Sequence, residues 1–559
     1  MLTVFRSRLG LVAITAIVGA GCGEDTPTEP TNPNPPTDVT VTAVSAVAAR
    51  VSFTGVAGAT GYLVERADGA AGGTFAQVGT PTAPPFDDTG LNPTATYRYR
   101  VTTVSGSKTS TPSAEASATL PDRALTVVNA DITTSTTWTR DKRYRLSGFI
   151  HVGNGATLTI EPGTIIEGDF NIVGSSLFIL RGAKIDAQGT AAAPIVFTSS
   201  QPVGQRRAGD WGGLVLVGNG IINRAAPVIL EGTGTNTVTN PAIDYAGGTN
   251  NADNSGKLRY VRVEFAGFAT APDAELNSFT LAAVGSGTEI DYVQSLNGLD
   301  DSFEWFGGAV DAKHIVSYNS GDDHFDISEG YVGRIQFAIA FQQILVVPRP
   351  LAGNVSQDPQ GIENDGCNGA NCTLGQNSLP YTVPLIANFT LVGPPAGVNI
   401  QGSGTIGMIL RRGTGGYYVN GIVSRWARAA ISLRDQPTLD RITGTELALS
   451  NLLLAENGVV FQPQSGSTIQ GTVDVTAAAI EANAATSTSL FTGLPATPTL
   501  GTLDWSLSAA SPARTGGLAT FTGAIATKAG TVVTATSYRG AADPSGPKWW
   551  QGWTNYAEN

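Results

Sequence analysis

The sequence predicts an all-β chain whose larger part is a repetitive solenoid, and three observations carry this. The composition, with 68 glycines and only 14% charged residues, suits strands and turns and lacks the Lys/Glu/Leu patterns of helical bundles. From about residue 125, short β-branched runs end in Gly, Asn or Pro-Gly turns at intervals of roughly 20 to 30 residues, as solenoid coils require. Finally, "NSFTLAAVGSGTEIDYV", "DSFEWFGGAVDAKHIVSY" and "DHFDISEGYVGRIQFAI" lie one under another, placing Phe279, Phe303 and Phe325 in a single column with steps of 24 and 22 residues. A chain of 559 residues exceeds one hydrophobic core, whereas a solenoid grows by adding coils.

The first residues have the build of an export signal. "MLTVFRSR" is a basic start, "LGLVAITAIVGAG" a short apolar run, and small residues lead into Cys22. "VGAGC" resembles the lipobox of bacterial lipoprotein signals, with Gly19 where that pattern has Leu; the resemblance implies a signal peptide over 1–21 and a lipidated Cys22. Residues 22–36, "CGEDTPTEPTNPNPP", form a Pro/Thr-rich acidic tether. Acids directly behind the Cys resemble the signals that send some bacterial lipoproteins to the outer face of the outer membrane. The expectation is a cell-surface protein whose membrane contact is a lipid anchor. A formal net charge of −12, with no basic cluster, argues against nucleic acid as a partner and for cations or neutral glycans.

Residues 37–121 alternate as the strands of a small sandwich. "GATGYLVER" and "LNPTATY", the second supplying Leu91 and Tyr97 of a tyrosine corner, resemble a fibronectin type III domain, with Phe53 in place of the usual core Trp. For residues 125–559, "GATLTIEPGTII" and "GTAAAPIVFTS" resemble the opening coils of right-handed parallel β-helices. "GDWGGLVLVG", "DDSFEWFGG" and the final "YRGAADPSG" with its Trp-rich tail resemble a group of secreted or surface-anchored bacterial β-helix proteins. That resemblance implies architecture and location, not an activity. An Ala-rich helix is expected near "VTAAAIEANAAT", and Trp549, Trp550 and Trp553 are expected to cap the open end of the stack.

The candidate site lies in the repeat itself. Alternation turns the Phe column inward and its neighbours outward, stacking Asp300 on Asp322, Asp301 on Asp323, Ser302 on His324 and Glu304 on Asp326. Coils stack about 4.8 Å apart, where two carboxylates repel by roughly 3 kcal/mol at an effective dielectric near 20. Three things relieve such repulsion. Solvation on an exposed face is the first. The second is calcium, a hard cation taking six to eight oxygens, here from Asn297, Asp300, Asp301, Asp322, Asp323 and Asp326. The third is a shared proton, and the catalytic reading goes with it: an acid and a base on neighbouring coils, as in inverting glycosidases. "GDD" at 321–323 resembles the polygalacturonase pattern, but none of His151, His314 or His324 lies between glycines, and the only Arg-x-Lys, Arg140 to Lys142, stands upstream. Further ligand contacts are expected from Trp305, stacking on a sugar or covering a turn, from His324, and from Glu363 and Asp365, which with Asp358 read as a long irregular loop. Cys367 and Cys372, in "CNGANC", suit a local disulfide. The reading is a binding, adhesion or structural protein for carbohydrate or cations; the alternative is a polysaccharide hydrolase or lyase.

Overall fold

The computed structural model describes residues 31–236, 238–356, 359–398, 405–462, 473–494 and 503–557. Cys22, the expected leader and most of the expected tether lie outside the described residues, as does Asp358. The chain divides into two compact units, Met1–Asp122 and Arg123–Asn559.

The first unit is a fibronectin type III-like sandwich. One sheet has the strands Thr37–Ser45, Ala48–Thr54 and Phe86–Thr89; the other is built on the antiparallel pair Gly61–Asp68 and Thr96–Ser105. Inward alternating residues make its core. Phe53 packs edge-on against Tyr62 with ring centres 4.7 Å apart, filling the place a Trp would take. The hydroxyl of buried Tyr97 accepts the N–H of Asn92 at 2.8 Å, which closes the tyrosine corner.

The second unit is a parallel β-helix. Its coils contribute strands to two sheets of 17 and nine strands, with neighbouring coils paired in parallel and in register. The Phe column is real: Leu214, Phe279, Phe303 and Phe325 are successive register partners. Phe279 and Phe303 stack with ring centres 4.7 Å apart and planes 1° from parallel. The column continues through Ile362, Met408 and Ile431, all buried. The longer sheet bends within each coil. Tyr260, Tyr292, His314, Phe337, Asn388, Asn420 and Asn451 occupy that bend in consecutive coils, all with φ between 48° and 63°. Left-handed backbone costs a non-glycine residue roughly 1–2 kcal/mol. The aromatic members offset this by stacking outside the coil, Tyr260 on Tyr292 at 4.5 Å and Tyr292 on His314 at 4.3 Å.

Two expectations are corrected here. The alanines of 475–486 form no long helix: a turn leads into the strand Glu481–Asn483, which pairs in parallel with Leu453–Ala455. The unpaired edge of the preceding coil outweighs alanine's intrinsic helix preference. The tryptophans do not cap the end of the stack. Trp553 meets Tyr260 and Tyr292 edge-on, Trp549 meets Tyr292 and His314, and Tyr556 meets Tyr318, so the C-terminal segment lies along the flank of several coils. Gln294 fixes it by exchanging two hydrogen bonds with Asn555, of 2.6 and 2.7 Å. The aromatic bend column gives the tail an apolar surface that a coil end lacks.

Phe303 sits between two ring partners in a fully packed column, so Phe303→Ala is expected to cost about 3–5 kcal/mol, and Phe303→Leu clearly less. Chemical denaturation of both variants checks this.

Candidate functional site: an acidic cleft over the nine-stranded sheet

The outward residues of the nine-stranded sheet change character along the stack. In early coils they are apolar, with Phe178, Val215, Val217, Ala282 and Phe306 packed under Ile222, Val228, Leu230 and Tyr245 from the segment 218–255. In later coils they are acidic. Register pairs Thr280 with Glu304, Glu304 with Asp326, and Asp326 with Glu363. Glu363 and Asp365 therefore belong to a strand, Gln360–Asp365, and not to an irregular loop as the sequence suggested. Six carboxyl groups (Glu231, Glu304, Asp326, Glu329, Glu363 and Asp365) and two guanidinium groups (Arg224 and Arg412) line a cavity of about 310 Å³.

The paired acids of the repeat divide between two tasks. Asp301 and Asp323 precede the column Phe by two residues, as Asn277 does one coil earlier. Their side-chain oxygens accept the backbone N–H of the next coil: Asn277 Oδ1 from Asp301 at 3.1 Å, Asp301 Oδ1 from Asp323 at 2.8 Å, and Asp323 Oδ1 from Gln360. An amide or a carboxylate serves equally in this ladder. Gly321 of "GDD" has a packing role, since a Cβ there would lie 1.8 Å from the Leu299 carbonyl oxygen. Asn297 is not turned to a cation either: Asn319 donates to its Oδ1 at 3.0 Å, and both are buried.

The acids also crowd one another in three groups, in which Asp301 and Asp323 take part as well. Carboxylate oxygens of Asp300, Asp301 and Asp322 lie within 4.8 Å of one another, as do those of Asp301, Glu304 and Asp326, and those of Asp323, Asp326 and Glu363. Burial, reinforced by neighbouring carboxylates, holds Asp300, Asp301, Glu304, Asp323 and Asp326 well above the ordinary carboxylic range. The same causes, burial first and then Asp365, push Glu363 up to about 7, although Arg411 pulls the other way. Cations serve the far side of the cleft: Arg411 binds Glu363 and Asp365, Arg412 binds Asp365, and Arg224 binds Glu329, which also accepts the Tyr245 hydroxyl. Asn277 donates to Glu304. Asp326 Oδ1 is sealed from solvent and has no hydrogen-bond partner among the described residues.

Exposed solvation, the simplest reading of the acids, does not hold for Asp301, Glu304, Asp323 and Asp365, which are buried, while Asp300, Asp322, Asp326 and Glu363 are half-buried. Trp305 and His324 cannot contact a ligand. Trp305 is fully buried in the Leu281–Trp305–Ile327 register column, on the same inward face as Phe303 two residues before it. His324 is also fully buried, bonded through Nδ1 to Ser317 Oγ at 2.6 Å, and burial lowers it to about 3, so it is neutral at physiological pH. It lies in the turn before its strand, where two-residue alternation does not apply.

Cys367 and Cys372 are joined in a disulfide with Cα atoms 5.9 Å apart. Their loop grips the covering segment. Ala225 donates to the Asn371 carbonyl at 2.9 Å, Asn371 Nδ2 to Pro227 at 2.8 Å, and Arg224 Nε to Ala370 at 3.0 Å. Sequence reasoning did not identify Glu329, Arg224, Tyr245, Arg411 or Arg412. Glu304 was placed over Asp326, which was the available signal.

A two-sheet parallel β-helix with a covered acidic cleft defines the class of the larger unit. The chain belongs to the pectate-lyase-like β-helix domain family, whose family model matches residues 130–505. No curated protein matches the chain. Solved structures similar to it include titin domains A168–A170, at 25% identity and TM-score 0.15, covering 16% of this chain and 32% of that one. An Fn3-like protein from Clostridium thermocellum is 29% identical, covering 16% of this chain and 96% of that one, with TM-score 0.15. The FN5 domain of Drosophila Lar is 21% identical over 16% and 97%, also at 0.15. This chain thus spans about a third of the titin fragment.

The turn ladder predicts an asymmetry. Asp301→Asn and Asp323→Asn keep the acceptor that Asn277 already provides, and should leave stability level or raised. Asp301→Ala and Asp323→Ala orphan a buried N–H and should cost about 1–3 kcal/mol, read by thermal unfolding.

Proposed function

We propose that the β-helix unit is a binding module of the bacterial cell surface that holds a calcium ion in the acidic cleft and engages a polysaccharide there. Asp326 carries the cation. Its Oδ1 is buried and unpartnered, with carboxylate oxygens of Asp323 and Glu363 within 4.8 Å. An oxygen-only donor set of this kind suits a hard divalent ion, with water completing six to eight ligands. Membership of a pectate-lyase-like family and a polar cavity of about 310 Å³ support a sugar ligand. Surface anchoring rests on the "VGAGC" signal at Cys22 and the acidic tether, with the bilayer as the partner of the lipid. Adhesion or a structural role in the envelope follows from such placement.

The test is stability against pH with and without calcium. Glu363 has a folded value of about 7 against an ordinary 4.5, and Asp323 and Asp326 shift the same way. Raised carboxyls bind more protons folded than unfolded, so the calcium-free chain should lose stability as pH rises from about 4.5 through about 7. Calcium should restore the melting temperature at neutral pH, and Asp326→Asn should remove that response while remaining folded. A melting temperature indifferent to calcium and to chelator would overturn the cation.

One observation favours a second reading, polysaccharide hydrolysis or elimination. A carboxyl pushed up to about 7, as Glu363 is, has the poise of a general acid or base at neutral pH. On that reading Glu363→Gln abolishes product release from a glycan panel with the melting temperature unchanged; on the binding reading no product forms with either chain.

A further inference from the structure

A different chemistry gathers on three loops that follow long-sheet strands at one corner of the coil. The loop 169–174 follows Ile165–Gly168, the loop 200–210 follows Ile195–Ser199, and the loop 342–352 follows Arg334–Phe341. They hold one another. Phe170 N–H donates to Ser200 Oγ at 2.9 Å, Arg349 N–H donates to the Ala208 carbonyl at 2.8 Å, and the Arg349 guanidinium lies 4.0 Å from the centre of the Phe170 ring.

Between them is a cavity of about 450 Å³, lined by Gln201, Gln205, Arg207, Asp210 and Arg349. Asp210 is 1% exposed; its Oδ2 accepts from Ser199 Oγ at 2.5 Å and from the Arg207 N–H at 3.0 Å, while Oδ1 has no partner among the described residues. Burial raises its carboxyl above the ordinary range, while its hydrogen bonds from Ser199 and Arg207 and the charge of Arg349 pull the other way. Arg349 spends one N–H on the Asp210 carbonyl, at 3.1 Å. Among the described residues neither Arg207 nor Arg349 has an ion-pair partner. Two guanidinium groups outside any salt bridge, around one cavity with a single carboxyl, are out of keeping with a chain of net charge −12.

The rims of the same loops are apolar and exposed. Val203 is 73% exposed, Val347 61% and Leu351 98%, and Ile172 and Val173 stand out on the first loop. Single exposed aliphatic residues need no explanation, but five on three mutually bonded loops form a patch. An aliphatic rim around a cationic cavity matches an amphiphile. We propose that this loop cluster docks on an anionic lipid surface: a headgroup phosphate enters the cavity against Arg207 and Arg349, and Val203, Val347 and Leu351 enter the acyl boundary. An acidic glycan would satisfy the arginines but has nothing for the aliphatic tips.

Hydrogen–deuterium exchange of the full chain on vesicles tests this, because it reads the loops themselves whatever the N-terminus does. Vesicles of phosphatidylcholine with phosphatidylglycerol should protect 169–174, 200–210 and 342–352, and phosphatidylcholine alone should not. Arg207→Glu with Arg349→Glu should abolish the protection, and so should Val203→Asp with Leu351→Asp, both pairs melting like the parent. No protection on the anionic vesicles overturns the proposal. So does protection that survives either pair. Equal protection by soluble dextran sulfate, unaffected by the aliphatic pair, assigns the cavity to a glycan and also overturns it.

Discussion

The in-register parallel ladder between coils is the constraint from which the rest of the second unit follows. Each residue stands over its equivalent in the coil before, at the strand spacing of about 4.8 Å, so whatever one coil presents the next repeats or answers. For Phe279, Phe303 and Phe325 that proximity is favourable, since rings at this distance stack and exclude water. For Glu304, Asp326 and Glu363 it is unfavourable, and strands that bury their flanking side chains remove the solvent that would have screened them.

The molecule deals with the charge in three ways. The second acid of each pair is spent on the backbone, accepting the N–H of the following coil, where Asn277 shows that the negative charge is not what the position needs. Arg411, Arg412 and Arg224 neutralise the far edge of the cleft. Asp326 has no such direct contact, and Arg411 reaches it only through its field. Its Oδ1 has no donor, and its proton affinity rises because burial and its acidic neighbours both disfavour the charged form. A bound cation and a retained proton are the two physical answers, and they separate the binding account from the catalytic one.

The repeat was legible in the sequence where coil length stayed near constant. Steps of 24 and 22 residues aligned Phe279, Phe303 and Phe325, and with them Glu304 over Asp326. The next coil arrives 37 residues after Asp323, at Gln360, and offers Ile362 where a Phe was the marker, so Glu363 and Asp365 read as loop. Trp305 was within reach, since alternation from Phe303 already turns it inward. His324 was not, because a turn residue obeys no two-residue period. The covering segment 218–255 was beyond reach for another reason: it packs by contacts with Phe178, Val215 and Phe306 that no local pattern encodes.

The central claim, that the stacked carboxylates are held by a cation, is tested most directly by anomalous diffraction from crystals of the calcium-loaded chain at neutral pH. The account predicts a peak between the carboxylates of Asp323, Asp326 and Glu363, absent from Asp326→Asn crystals. Well-ordered carboxyls at hydrogen-bonding separation, with no anomalous peak among them, would contradict it and leave shared protons as the means by which the coils stay together.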